Sequence, residues 1–108
     1  MTEAKYVVLA PIRLKAGVSE AGLVAASDTF EANFVKKQRG IIKRLLLKAK
    51  DGSYADLVFF ESKGDADKVM EAEASSPDCL EFFGVMEAPD ESLPDMGVLS
   101  FEHVKTYE

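Results

Sequence analysis

Residues 41–61 read IIKRLLLKAKDGSYADLVFFE. Two runs rich in aliphatic and aromatic residues, 41–50 and 53–61, flank Asp51-Gly52. An Asp-Gly step readily supplies the positive φ angles of a tight turn, so the segment predicts an antiparallel hairpin. Upstream, residues 6–14, YVVLAPIRL, read as another strand. Pro11 interrupts it and lacks a ladder donor, so a bulge or an unpaired position is expected there. Between the two lies a segment of different period. From residue 20 to residue 38, Leu23, Phe30 and Phe34 recur at spacings of 7 and 4, with Ala26 and Val35 beside them. That is a helix with one apolar stripe. Ser19 is its expected N-cap and Gly40 its stop.

Downstream of the hairpin a second helix is expected from about Asp65, with Ala66, Val69, Met70 and Ala74 inward, ending before Pro77. Residues 79–86 add a short helical turn, residues 88–95 are a loop by composition, and residues 97–107 form a last strand. The order β-α-β-β-α-β is the ferredoxin-like, split-βαβ pattern of the α+β class: a four-stranded antiparallel sheet with both helices on one face.

The other face of that sheet has a consequence. Val7, Val8, Leu9 and Ala10 on the first strand, and Leu57, Val58, Phe59 and Phe60 on the third, are apolar at consecutive positions. A sheet with one wet face alternates instead. The chain has no further element to cover a second apolar face, so a homodimer, sheet against sheet about a two-fold axis, is expected.

The chain has 108 residues, enough for a single domain over residues 1–108. Its formal net charge of −6 argues against a nucleic-acid partner. The local basic cluster of Lys36, Lys37, Arg39, Lys43 and Arg44 is explained by a solvated helix end and an edge strand. One cysteine, Cys79, excludes an intrachain disulfide and fits a reducing compartment. No apolar run is long enough for a membrane helix, and no signal-peptide core follows Met1, so a cytoplasmic protein without a membrane partner is expected.

Several local features together resemble one known group. Phe60-Glu61-Ser62 closes a strand, an acidic helix follows, Ser76-Pro77 breaks it, and Phe82-Phe83 comes next. In these features the chain resembles the antibiotic biosynthesis monooxygenase-like family of dimeric α+β barrels, from about residue 6 to residue 107. The resemblance implies a cofactor-independent oxygenase or related enzyme acting on a small, partly apolar or aromatic metabolite. The alternative is a non-catalytic small-molecule-binding or dimerisation module. The chain departs from the family pattern at several positions. It has no tryptophan, and Phe60 stands where the family commonly has one. Glu73 and Asp78 stand near positions where histidines are common. Ala10-Pro11 replaces the asparagine of haem-degrading members, which speaks against haem.

Candidate chemistry rests on few residues. His103, the only histidine, is the best proton acceptor near neutral pH and is expected on the face shared by Leu99, Phe101 and Tyr107. A hydrogen-bonded, half-buried strand histidine is the competing reading. Asn33, at the margin of the first helix's stripe, offers an amide for a carbonyl or enolate, or else faces water. Phe30, Phe34, Phe60, Tyr6 and Tyr107 are the expected pocket lining. Tyr54 offers another phenol. Arg13 and Arg44 are read as surface ion pairs or as anchors for an anionic substrate. Glu71, Glu73 and Glu81 read as a solvated helix face. Asp78 and Glu81 beside Cys79 disfavour a thiolate, so that cysteine is read as packing. No ligand spacing for a metal and no phosphate-binding glycine loop is present, so no cofactor is expected.

Overall fold

The computed structural model describes residues 4–89, 92–93 and 97–107. Strand β1 is Tyr6–Ile12, helix α1 Glu20–Asn33, β2 Ile41–Lys48, β3 Tyr54–Phe60, α2 Lys63–Glu73, α3 Pro77–Phe83 and β4 Leu99–Glu102. The four strands form one antiparallel sheet in the order β2-β3-β1-β4. This is the ferredoxin-like α+β arrangement expected from the element order. The loop expected over residues 88–95 lies partly outside the described residues.

Each helix begins at a serine for the same reason. Ser19 Oγ accepts from the Gly22 N–H at 3.1 Å, Ser62 Oγ from Asp65 at 3.2 Å, and Ser76 Oγ from Cys79 at 3.5 Å. Each bond satisfies an amide that has no partner within the first turn of its helix. Helix α1 ends four turns on at Asn33, earlier than the expected residue 38. Phe34 leaves helical geometry at φ −124°, and Val35–Lys37 continue as one 3-10 turn. The departure lets the adjacent Phe34 and Val35 both face the core, which a continuous α-helix would place about 100° apart.

The remaining corrections are local. Helix α2 starts at Lys63, two residues before the expected Asp65. It buries Ala66 and Val69 but leaves Met70 and Ala74 exposed, while Ala72 and Glu73 turn inward. Pro11 makes no bulge: it stays in register opposite Ala55, at the end of β1 that β4 does not reach. The ladder irregularity falls on β2 between Ile41 and Lys43. Strand β4 is four residues long, not eleven. The hairpin connection spans residues 49–53 rather than a two-residue turn. Gly52 there sits at φ +89°, and the Asp51 carboxylate accepts from the Ser53 amide at 2.9 Å and the Ser53 hydroxyl at 2.6 Å.

The core lies between the sheet and the helices. Leu23, Phe30 and Phe34 of the α1 region, Val35, Ala66 and Val69, and Cys79 and Phe82 of α3 pack on Val8, Ile12 and Phe60. The rings of Phe30 and Phe82 stack at 4.4 Å between centroids, and those of Phe30 and Phe34 at 5.4 Å. The opposite face carries apolar rows that run across the strands. Leu45, Leu57, Leu9 and Leu99 are successive cross-strand partners through all four strands, and Phe59, Val7 and Phe101 form the row beside them, which ends at Lys43 on β2. Leu99 and Phe101 remain about half exposed in the single chain, at 52% and 50%.

Candidate functional site

Arg44, read from the sequence as a surface ion pair or an anchor for an anionic substrate, is the centre of a buried polar cluster. Arg44 lies on β2, on the side that faces the helices, because it is the register partner of Val58, which in turn pairs with the buried Val8. Only 7% of its side chain is exposed. Its Nε stands 3.1 Å from Asp56 Oδ1, and its Nη2 donates to the hydroxyl and the backbone carbonyl of Ser27 on α1. Its Nη1 is 3.7 Å from Glu31 Oε1 and makes no hydrogen bond. The guanidinium lies 5.1 Å from the Phe30 ring centroid and 5.6 Å from that of Phe82. These ring faces stabilise a cation that has lost most of its water.

Asp56 is 7% exposed. Burial pushes its carboxyl up to about 6; the Arg44 charge opposes the rise and the Glu31 charge adds to it. The Oδ1 atom facing Arg44 completes no well-aligned hydrogen bond, so the pair is held by charge more than by geometry. Glu73, at the end of α2, is half-buried, and burial followed by the Asp56 charge pushes it up to about 7. The cluster thus sets one permanent cation against three carboxylates, two of which titrate near neutrality.

The cluster reaches the surface through a cleft between α1 and β2 of about 400 Å³, lined by Val24, Ser27, Asp28, Glu31, Arg44 and Leu46. Val24 and Leu46 supply apolar walls, Asp28 and Glu31 an acidic rim, and Arg44 the floor. A second cleft of about 350 Å³ lies at the hairpin end and includes Arg13, Glu20, Asp51, Tyr54 and Glu87. There Glu20 bonds the Tyr54 hydroxyl at 2.9 Å and Lys48 at 3.1 Å, an exposed network that holds the Glu20 carboxyl below its usual range.

Of the residues singled out from the sequence, Arg44 lines the first cleft and Arg13 and Tyr54 the second, while the others lie elsewhere. His103 follows β4, and two strands separate β4 from β2 in the sheet. Its Nδ1 is 2.5 Å from the Ala4 carbonyl oxygen, and its Nε2 is 2.8 Å from the Thr106 hydroxyl. A carbonyl only accepts, so Nδ1 carries a proton. Asn33 is exposed at the end of α1. Phe30, Phe34 and Phe60 are buried core residues, Tyr6 is half-buried against the same core, and Tyr107 is 82% exposed. None of these five lines either cleft. Cys79 is fully buried and its thiol is pushed up chiefly by burial, which agrees with a packing role. Among the described residues, no group of three His, Cys, Asp or Glu side chains is arranged to hold a metal ion. No helix there is long and apolar enough to cross a membrane.

Asp56 and Glu73 were missed as site residues. Asp56 is the one acid inside the apolar run of β3, on the face of Val58 and Phe60, and that placement is the signal that marks it.

No protein-family model matches the chain, and no curated protein matches it. Solved structures do. The cofactor-independent oxygenase SnoaB from Streptomyces nogalater superposes with a TM-score of 0.71 at 12% identity, over 96% of this chain and 97% of that one. A candidate antibiotic biosynthesis monooxygenase from Bordetella bronchiseptica gives 0.68 at 17% identity, over 95% and 100%. Rv0793 from Mycobacterium tuberculosis gives 0.66 at 14%, over 97% and 100%. The chain therefore has the fold of the antibiotic biosynthesis monooxygenase-like proteins. At these identities the likeness establishes fold alone.

Proposed function

We propose that this chain is a homodimeric small-molecule enzyme of the cofactor-independent oxygenase kind, with its site in the α1–β2 cleft. The observation that carries this is Arg44, a nearly buried guanidinium on the floor of an open cleft, with Nη1 making no hydrogen bond. A buried donor left unpaired costs about 1–3 kcal/mol, and bound ligand oxygen would recover that cost. SnoaB shows that this fold hosts oxygenation without a cofactor. In this chain Val24 and Leu46 would hold the apolar part of a partly aromatic metabolite. Arg44 would stabilise negative charge developing on its oxygen as a C–H or O–H proton passes to water in the open cleft; the carbon of the resulting enolate or phenolate would form a C–O bond with dioxygen, and the peroxide so made would take the proton back as a hydroperoxide. The apolar rows on the open face of the sheet support the dimer, because a second copy would cover them. His103 and Asn33 make no contact with this cleft and carry no step of the reaction.

The stacked rings of Phe30, Phe34 and Phe82 support a second reading, a non-catalytic binding or dimerisation module, since they fill the layer between helices and sheet. Oxygen uptake with a panel of electron-rich polycyclic phenols separates the two. Uptake that Arg44→Met reduces by about 10²-fold or more supports the enzyme. Binding without uptake across the panel supports the module.

A further inference from the structure

We infer that Asp28 and Glu31 make the α1–β2 cleft a filter against anions, and that the ligand Arg44 receives there is uncharged and presents a carbonyl oxygen. This rests on the reading of the cleft as a small-molecule site. Arg44 has spent Nε on Asp56 and Nη2 on Ser27, which leaves the two N–H groups of Nη1 for a ligand. Those donors call for an acceptor oxygen. The charges around them decide which kind. Asp28 and Glu31 stand on the rim and Asp56 and Glu73 behind, against the single guanidinium. An entering carboxylate or phosphate meets the rim carboxylates before it meets Arg44, and the Arg44 charge it would claim is already shared with Asp56. A ketone or amide carbonyl gains the same hydrogen bond without that repulsion. Nη1 itself is buried, and Glu31, 3.7 Å away with its side chain 37% exposed, is the neighbour whose rotation into water would open it to a ligand. Val24 and Leu46 suit an attached hydrocarbon ring.

The test is a set of protein-observed NMR titrations at pH 8 with three matched probes: 1-tetralone, tetralin-1-carboxylate and tetralin. The expected result is shifts at Val24, Leu46 and Arg44, with 1-tetralone binding roughly tenfold more tightly than either other probe. Replacing the rim by Asp28→Asn with Glu31→Gln, both of which leave the core untouched, should tighten the carboxylate by roughly tenfold and change 1-tetralone by under about threefold. Val24→Trp, which fills the cleft from its wall, should abolish binding of all three. A carboxylate that binds as tightly as 1-tetralone, or that ignores the rim substitutions, overturns the filter but leaves the cleft a ligand site. Tetralin binding as well as 1-tetralone overturns the carbonyl anchor. If no probe shifts the cleft residues, both the filter and the small-molecule reading fall.

Discussion

Arg44 and Asp56 are not opposite one another in the β2–β3 ladder. Asp56 faces Leu46 and Arg44 faces Val58, and the pair closes along the diagonal, Nε to Oδ1 at 3.1 Å. Diagonal neighbours on one sheet face are within reach of a long side chain. The arginine therefore lies across the floor of the α1–β2 cleft instead of extending into water.

Removing that arginine should expose the cost of the acid it serves. Arg44→Met leaves Asp56 buried without its cation, and at pH 8 a loss on the order of 3 kcal/mol is expected. Near pH 5 the loss should be smaller, because Asp56 then takes up a proton. Adding Asp56→Asn to Arg44→Met should recover part of the pH 8 loss. Chemical denaturation of the two variants at both pH values measures this.

The raised carboxyls give a pH dependence with a definite sign. Asp56 moves from an ordinary 3.8 to about 6, and Glu73 from 4.5 to about 7. The folded chain binds more protons than the unfolded chain between these limits. The stability these groups contribute is full below about pH 4 and lost as pH rises through 6 to 7. Glu73→Gln should therefore gain stability relative to the parent between pH 4 and pH 8, by on the order of 2–3 kcal/mol. Urea midpoints across that range test it; parallel curves would show that Glu73 is not desolvated in the folded chain.

Gly40 holds φ at +94° at the turn into β2, and an added Cβ would lie 2.4 Å from Asp65 Cγ and 2.5 Å from its Cβ. Gly40→Ala combines a left-handed backbone with a collision at the first turn of α2. A loss of about 2–4 kcal/mol is expected. Thermal unfolding of Gly40→Ala with and without Asp65→Gly separates the two contributions.

Leu57 stands in the middle of the row formed with Leu45, Leu9 and Leu99. Leu57→Lys places a charge in the proposed interface while leaving the helix-side core alone. Light scattering should show the parent as a dimer and the variant as a folded monomer at micromolar concentration. A parent that is itself monomeric would remove the proposed interface.

His103 ties the segment after β4 to Ala4. His103→Ala should cost about 1 kcal/mol through the lost hydrogen bond and leave ligand binding in the cleft unchanged. Calorimetry and the probe titrations on the same variant decide this; a loss of binding would return His103 to the site.

The element order, the Ser19 cap and the two-sided apolar character of β1 and β3 follow from local periodicity and composition, which is why the ferredoxin-like fold is legible in the sequence; the Ser62 and Ser76 caps emerged only with the structure. The cluster could not be read that way, and the reason is register. A two-residue turn at Asp51-Gly52 would pair Lys50 with Ser53 and set Leu45 opposite Val58, sending Arg44 to the open face. The longer connection over residues 49–53 pairs Lys48 with Tyr54, so Arg44 lies opposite Val58 and turns to the helices. A shift of one residue moves every side chain of a strand to the other face. The burial of Glu73 has a similar origin: α2 begins at the Ser62 cap, and its packing turns Glu73 inward and Met70 out. Composition and period determined which elements exist. Loop length, capping and packing decided which charges those elements enclose, because a buried charge depends on partners distant in sequence: Ser27, Arg44, Asp56 and Glu73 meet only when the sheet and helices close around them.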